Sequence, residues 1–159
     1  MISERMEKML VNDLYELITP ASEVAVVGTN NTLDHALLLM TSNKYSVVPV
    51  IDEKSRMKGL ISMPTIMEAV IGIEDVHFDK LGDITVEEIM TLDYPVVGPD
   101  YELEDVLCTL VHYAFISVID ADGVLVGIIP RKEILTGVNR IVHNFERVYD
   151  VKDRETEHV

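Results

Sequence analysis

The sequence is poor in cysteine, in positive charge and in long apolar runs. Cys108 is the single cysteine, so no disulfide can form within the chain, and this favours a reducing compartment such as the cytoplasm. No run of 18 or more residues is free of charged and polar groups, so the sequence predicts no membrane span. The first ten residues do not have the pattern of a secretory signal.

Acidic residues outnumber basic ones by more than two to one. There are 28 Asp and Glu against 13 Lys and Arg, which gives a net charge of −15. Non-specific binding to nucleic acid depends on clustered cations that release counterions, so this balance opposes a nucleic-acid partner. A small anion can bind only where donors are concentrated locally. Places where lysine or arginine meets a helix N-terminus are therefore informative.

The chain contains two copies of one unit. Val26-Val27-Gly28 matches Val96-Val97-Gly98 at an offset of 70 residues. Further on, "VVPVID" matches "FISVID", and Gly59-Leu60-Ile61 matches Gly127-Ile128-Ile129, both at an offset of 68. A shared offset with one local deletion indicates a duplicated supersecondary unit.

Each copy predicts a strand, a helix, two strands and a second helix. Apolar residues at helical spacing mark the first helix, and β-branched runs with an acidic turn between them mark the strands. The final helix is predicted to begin at Pro64 or Pro130, because proline is tolerated at the first helical position. The predicted fold class is α+β, with two βαββα repeats packed side by side.

The predicted organisation has five parts. Residues Met6, Leu10, Leu14 and Leu17 share one face of a predicted amphipathic helix at the N-terminus. The boundaries are an N-terminal helix at 1–17, a first repeat at 18–72, a connector at 73–88, a second repeat with an extended last helix at 89–149, and a polar tail at 150–159.

Two segments resemble the CBS (cystathionine-β-synthase) domain. They are "YSVVPVIDEKSRMKGLISMPTIM" and "AFISVIDADGVLVGIIPRKEIL", within a match that covers roughly residues 18 to 138. Both follow the family pattern of a strand and acidic turn, then a glycine-containing strand that leads into a helix. With two copies, the resemblance implies a CBS pair, or Bateman module, whose pseudo-symmetric repeats leave ligand clefts between them.

Within that family the chain is similar to the small stand-alone bacterial proteins that bind cyclic di-AMP, the CbpB/DarB group. The resemblance implies a homodimeric regulatory protein without enzymatic activity. No His/Cys cluster has the spacing of metal ligands, so neither a metal nor a cofactor is expected. It also implies a protein partner that is engaged when the dinucleotide is absent. In that group the partners are a Rel-type (p)ppGpp synthetase/hydrolase and, in some members, pyruvate carboxylase.

The resemblance also implies where adenine and ribose bind. The base would lie against the start of the second strand, at Tyr45, Ser46 and Val47. The acid that holds the ribose falls at Thr65 in the first copy and at Glu133 in the second. A threonine holds a ribose more weakly than a carboxylate does, which disfavours a plain nucleoside 5′-phosphate in the first cleft.

The phosphate is predicted at Arg131, with Lys132 as support. Arg131 lies in the first turn of a predicted helix, where free N–H groups and the macrodipole favour anions. Its planar guanidinium group can bind a phosphate through two hydrogen bonds. Ser62 is a ligand contact or a helix cap. The opposite wall is predicted to contain Thr19, Ala21, Val24 and Ala25, and the candidates for a second cleft are Ala114, Phe115 and Glu133.

Three alternatives stay open. The fold could sense AMP, ADP or ATP, which Glu133 supports. It could be a ligand-free interaction module, in which Tyr45, Phe115 or Met63 would fill the cleft. An enzyme is the least supported, because the sequence shows no nucleophile–base pair, metal cluster or Gly-rich phosphate loop. The sequence leaves open the partner, the affinity, the sign of regulation and the number of occupied clefts.

Overall fold

The computed structural model describes residues 1–12 and 14–152. Each repeat has the predicted βαββα order. The first repeat contains strands and helices β2 (Val27–Gly28), α2 (Leu33–Asn43), β3 (Val47–Ile51), β4 (Met57–Ser62) and α3 (Met63–Val70). The second contains β5 (Val96–Val97), α5 (Leu103–Leu110), β6 (Phe115–Ile119), β7 (Leu125–Pro130) and α6 (Arg131–Val148). The α+β fold class is therefore confirmed.

Short elements precede each repeat. Ahead of the first lie α1 (Glu4–Leu10), a 3-10 helix at Leu14–Leu17, β1 (Thr19–Pro20) and a 3-10 turn at Ala21–Glu23. Ahead of the second lie a 3-10 helix at Phe78–Gly82 and α4 (Val86–Ile89). The predicted polar tail lies outside the described residues from 153 onward.

The two sheets are joined by an exchange of strands. The first sheet has the order β2-β3-β4, and the second has the order β1-β7-β6-β5, although β1 precedes the first repeat in sequence. In β1, Thr19 pairs with Ile128 and Pro20 with Gly127. Thr91, which precedes β5, pairs in return with Leu60 of β4 through hydrogen bonds of 3.0 and 2.8 Å. A segment that precedes the first strand of each repeat therefore pairs with the glycine-containing strand of the other repeat, β1 as a sheet strand and Thr91 as an isolated bridge.

Glycine makes this crossing possible. A Cβ atom on Gly127 would overlap the carbonyl oxygen of Thr19 and lie 2.7 Å from Cγ2 of Ile18. A Cβ atom on Gly59 would lie 2.8 Å from the carbonyl oxygen of Thr91. The two glycines that mark the repeat in the sequence are thus the positions where backbone from the other half passes too closely for any side chain.

The hairpin turns form a second symmetric contact. The amide of Met57 donates to the Gly123 carbonyl, and the amide of Leu125 donates to the Ser55 carbonyl, both at 2.9 Å. Ser55 and Gly123 both adopt positive φ, at 60° and 80°. The pseudo-two-fold axis therefore runs between the two turns as well as between the two exchanged segments.

Each hydrophobic core is also shared. Leu10, Val11 and Leu17 from the N-terminal segment are buried in the core of the second repeat. Leu81 and Val86 from the connector are buried in the core of the first repeat. The segments before each repeat thus contribute buried side chains to both cores, and this packing holds the two halves together.

The N-terminal helix is shorter than predicted. Helix α1 ends at Leu10, and Val11 turns to an extended conformation with φ −139° and ψ 147°. Arg140 of α6 donates through Nη2 to the Leu10 carbonyl at 2.7 Å. Because Leu10 and Val11 are consecutive and both buried, the chain leaves the helix at this point to direct both side chains into the core.

The prediction that Pro130 begins the last helix was wrong by one residue. Pro130 ends β7 and occupies the N-cap of α6, with φ −74° and ψ 143°, and Arg131 is the first helical residue. The equivalent N-cap of α3 is Ser62, and Pro64 follows inside the first turn. Proline suits the N-cap because its ring allows the extended conformation that a cap needs.

Within the described part of the chain, no helix combines the length and the apolar character needed to cross a bilayer.

We expect Gly127→Ala to lower the free energy of unfolding by about 2–3 kcal/mol, because the added methyl group meets backbone that cannot move aside. Gly98→Ala is the matched control, since a Cβ at Gly98 meets nothing within 4 Å, and its effect should stay within about 0.5 kcal/mol. Urea denaturation of both variants measures the difference, and equal effects would contradict the crossing described above.

Candidate functional site

A cavity of about 390 Å³ lies where the two repeats meet. We call it the inter-repeat cleft. Its walls are the segment that leads from β1 towards β2, the start of β3, the start of β6 and the corner between β7 and α6. Of the residues predicted from sequence, the cleft brings together Thr19, Val24, Ala25, Tyr45, Ser46, Val47, Ala114, Phe115, Lys132 and Glu133.

Four predicted residues do not line this cavity: Ala21, Ser62, Thr65 and Arg131. The Ser62 hydroxyl instead caps α3, where it accepts from the Thr65 amide at 3.3 Å and lies 2.8 Å from the Thr65 hydroxyl. The first helix-start corner thus satisfies its own polar groups. Ser62 acts as the helix cap that the sequence suggested, and its hydroxyl pairs with that of Thr65.

The division into a first and a second cleft needs correction. The sequence assigned Tyr45 to one cleft with Thr65, and Phe115 to another with Glu133. In the structure, Tyr45, Phe115 and Glu133 line the same cavity. The strand exchange causes this, because it places the start of β3 in one repeat opposite the β7–α6 corner of the other. Thr65 does not line this cleft, so the weaker hold of a threonine on ribose does not disfavour a plain nucleotide there.

Arg131 is held away from the cavity lining. Its Nε donates to the Leu110 carbonyl at 2.7 Å, and its Nη2 donates to the Tyr113 carbonyl at 2.8 Å. Its backbone amide donates to the Ala114 carbonyl at 2.9 Å. Arg131 therefore ties the end of α5 to the start of α6, which fixes the position of the following two residues.

Lys132 and Glu133 occupy the first turn of the 18-residue helix α6. Their backbone amides have no partner within the helix, because the first turn of any α-helix leaves its N–H groups unpaired internally. Together with the Lys132 ammonium, these amides form a concentration of donors suited to a phosphate. Glu133 adds a carboxylate that can accept hydrogen bonds from ribose hydroxyls.

The opposite wall is mostly apolar. Val24 and Ala25 are half-buried, and the small side chain of Ala25 leaves room beside the strand. Tyr45, which is 47% exposed, stands at the mouth where α2 leads into β3. An aromatic ring and aliphatic side chains around exposed strand backbone can cover the face of a base and read its edge.

Sequence reasoning missed six residues of the lining: Glu23, Lys44, Val48, Pro49, Ile128 and Pro130. Val48 and Pro49 belong to β3, and Ile128 and Pro130 belong to β7, and only the packing of the repeats brings these strands to the cleft. Lys44 directly precedes the predicted base wall, so its charge and position were the available signal. Glu23 immediately precedes Val24 and could have been found in the same way.

The charged groups of the cleft lack ionic partners. Glu23, Lys44, Lys132 and Glu133 all line it, and none of them forms an ion pair within 4.0 Å among the described residues. Two cations and two acids thus face a shared cavity without neutralising each other directly. A ligand that carries both anionic groups and hydroxyl donors could satisfy all four.

The pseudo-symmetric positions have different chemistry. By the repeat offsets, Lys132 and Glu133 correspond to Pro64 and Thr65, and Val24 corresponds to Tyr94. Tyr94 is half-buried and donates to the Met57 carbonyl at 3.4 Å, and burial raises the pKa of its phenol. The start of α3 therefore has neither the lysine nor the carboxylate that Lys132 and Glu133 supply at the start of α6.

Among residues 1–12 and 14–152, no group of three or more His, Cys, Asp or Glu side chains is gathered as metal ligands would be.

Comparison with known proteins gives one family and several relatives. The family model for the CBS domain matches residues 11–72 and 86–140. The protein described as cyclic di-AMP receptor B of Bacillus subtilis is 31% identical over 147 residues, which covers 92% of this chain and 100% of the relative.

Solved structures show the same architecture. Listeria monocytogenes CbpB in complex with c-di-AMP has a TM-score of 0.78 and 38% identity, over 82% of this chain and 97% of that one. CbpB of Streptococcus agalactiae has a TM-score of 0.80 and 27% identity, over 96% of each chain.

We expect Arg131→Ala to lower the free energy of unfolding by about 1–3 kcal/mol, because two carbonyls at the end of α5 lose their charged donor. The neighbouring Lys132→Ala is the control, and it should change stability by no more than about 0.5 kcal/mol. Thermal or urea unfolding distinguishes the two. Equal stability of the Arg131 variant and the parent would show that the guanidinium does not hold this corner.

Proposed function

The chain belongs to the CBS domain family, and on that basis we propose that it is a regulatory protein that binds cyclic di-AMP in the inter-repeat cleft. The observation that carries the proposal is the meeting of an apolar wall at Val24 and Ala25 with the cationic start of α6 at Lys132 in one cavity. An adenine ring fits the former, and a phosphodiester fits the latter.

The relatives support the choice of ligand. One is described as a cyclic di-AMP receptor, and one was crystallised with c-di-AMP. The cavity volume of about 390 Å³ lies within the range of small-molecule sites in proteins. An open cavity also argues against the ligand-free module, in which Tyr45, Phe115 or Met63 would fill the space.

Within the site, we assign the direct phosphate contact to Lys132 and a supporting role to Arg131, which reverses the order expected from the sequence. Lys132 lines the cleft, whereas the guanidinium of Arg131 is engaged by two carbonyls. Arg131 supports the site by fixing the start of α6, and it keeps further N–H donors for the rim. The Glu133 carboxylate accepts hydrogen bonds from the ribose hydroxyls.

The proposed output is the control of a protein partner. Because the cleft walls come from both repeats, a ligand that contacts both favours one relative arrangement of the halves. A Rel-type (p)ppGpp synthetase/hydrolase and pyruvate carboxylase are the partner classes that the family resemblance suggests. We propose no catalytic step, since the function requires only binding and a shift in population.

A homodimer completes the proposal. Leu135, Val138 and Val142 on α6 are 58%, 42% and 71% exposed and follow the three-and-four spacing of a helix–helix seam. A second copy of the chain would bury this stripe. The same helix starts at the cleft, so a dimer contact along α6 would be linked mechanically to the ligand site.

The ligand is tested by titration calorimetry with cyclic di-AMP, cyclic di-GMP, AMP and ATP. We expect cyclic di-AMP to bind most tightly. Lys132→Ala should weaken the binding of cyclic di-AMP by about 1.5–3 kcal/mol, the range for a charge-assisted hydrogen bond. Lys54→Ala, which removes an exposed lysine that does not line the cleft, is the control and should bind normally. Tighter binding of AMP or ATP would favour the energy-sensing alternative.

The same titration on Arg131→Ala tests the reversed order of the two cations. A larger loss of affinity there than in Lys132→Ala, without a loss of stability, would return the phosphate to Arg131.

The dimer is tested by sedimentation. The parent protein should show twice the 17.9 kDa mass of the chain, and Val142→Glu should yield single chains, because a buried seam cannot accommodate an unpaired charge. Val126→Glu, the same change on the exposed side of β7, should stay dimeric. A parent protein that sediments as one chain at micromolar concentration would rule the dimer out.

A further inference from the structure

Lys44 adopts a backbone conformation that is unfavourable for residues with a side chain. It forms the C-cap of α2 with φ 59° and ψ 35°, in the left-handed region. In this region the Cβ atom crowds the following carbonyl, so helices that end this way usually carry glycine here. A lysine at such a position keeps a strained backbone, and strain that persists is concentrated at functional sites.

The repeated unit does not itself require this conformation. At the matching point of the second repeat, helix α5 ends at Val111 with φ −59°, an ordinary right-handed value. The strand that follows, β6, pairs with β7 just as β3 pairs with β4. The left-handed residue is thus particular to the repeat that contributes Lys44 to the cleft.

Lys44 lines the inter-repeat cleft from the first repeat, and Lys132 lines it from the second. Neither ammonium group has an acidic partner within 4.0 Å in the described part of the chain. Two unpaired cations therefore approach one cavity from different halves of the molecule. Glu23 and Glu133 line the same cavity, but the two lysines come from different repeats, and this arrangement favours a ligand that carries negative charge at two points and hydroxyl groups for the carboxylates.

We propose that Lys44 is a specificity-determining residue that binds the second phosphate of a cyclic dinucleotide, while Lys132 binds the first. This inference rests on the proposed function and deepens it. A cyclic dinucleotide carries one charge on each of two phosphodiesters, on opposite sides of its ring, whereas a mononucleotide carries all its charge at one end. Lys44 therefore selects the dinucleotide over AMP.

The test uses two glycine substitutions at matched backbone geometry. Ser55 has φ 60° but lies in the β3–β4 turn and does not line the cleft. Both Lys44→Gly and Ser55→Gly should raise the midpoint of thermal unfolding by about 2–4 °C, because both relieve the same strain. Only Lys44→Gly should lower the affinity for cyclic di-AMP, by about tenfold or more, which corresponds to about 1.4 kcal/mol.

Two further measurements separate the effect of the Lys44 charge from the effect of its strained backbone. Lys44→Met keeps the strained backbone and removes the charge, so it should match the affinity loss of Lys44→Gly without the gain in stability. The affinity of either variant for AMP should change by less than about threefold, because one lysine suffices for one phosphate.

The outcomes distinguish this inference from the proposed function. If the parent protein does not bind cyclic di-AMP, the proposed function fails and this assignment fails with it. If the parent binds and both Lys44 variants bind equally well, only the role of Lys44 is overturned. An equal loss of affinity for AMP and for the dinucleotide would overturn the role of Lys44 in specificity.

Discussion

The structure depends on the reciprocal crossing of backbone at two glycines. At Gly127 and Gly59, a segment from the other half of the chain passes where a side chain would otherwise be. This contact pairs each segment with the glycine-containing strand of the other repeat, and the same crossing segments continue into residues that fill both cores. The two repeats are therefore parts of one interlocked unit, and the cleft between them has walls whose positions are fixed by the crossing.

The same interlock explains how one cavity acquires complementary chemistry. The first repeat supplies the apolar and aromatic wall, and the second supplies the start of α6 with Lys132 and Glu133. Arg131 anchors that helix start to the carbonyls at the end of α5, so the donors around it are held in place before any ligand arrives. Preorganised donors lose little on binding, which is the condition for selective recognition of a phosphate in a protein of strongly negative charge.

Much of this was predictable from the residues, and the failures have physical causes. The offsets between Gly59 and Gly127 revealed the duplication, and the unit order followed from the spacing of apolar residues. Tyr45, Val47 and Ala25 were located because they lie on predicted strands of a recognisable motif. Arg131 was predicted as the phosphate contact, but it does not line the cleft and its guanidinium donates to the carbonyls of Leu110 and Tyr113, an arrangement that the sequence could not reveal. The grouping of Glu133 with Tyr45 was missed, although the neighbouring Arg131 and Lys132 were already predicted to face the cleft that contains Tyr45. Lys44 was missed although its charge and its place beside Tyr45 were visible in the sequence, since the left-handed backbone that singles it out leaves no signal when the residue is not glycine.

The most direct measurement of the central claim is a crystal structure of the protein grown with cyclic di-AMP. The account predicts the dinucleotide in the cavity between the start of β3 and the first turn of α6, with one adenine against Val24 and Ala25 and a phosphate on Lys132. A dinucleotide bound elsewhere, or a cleft that remains unoccupied at saturating ligand, would contradict it.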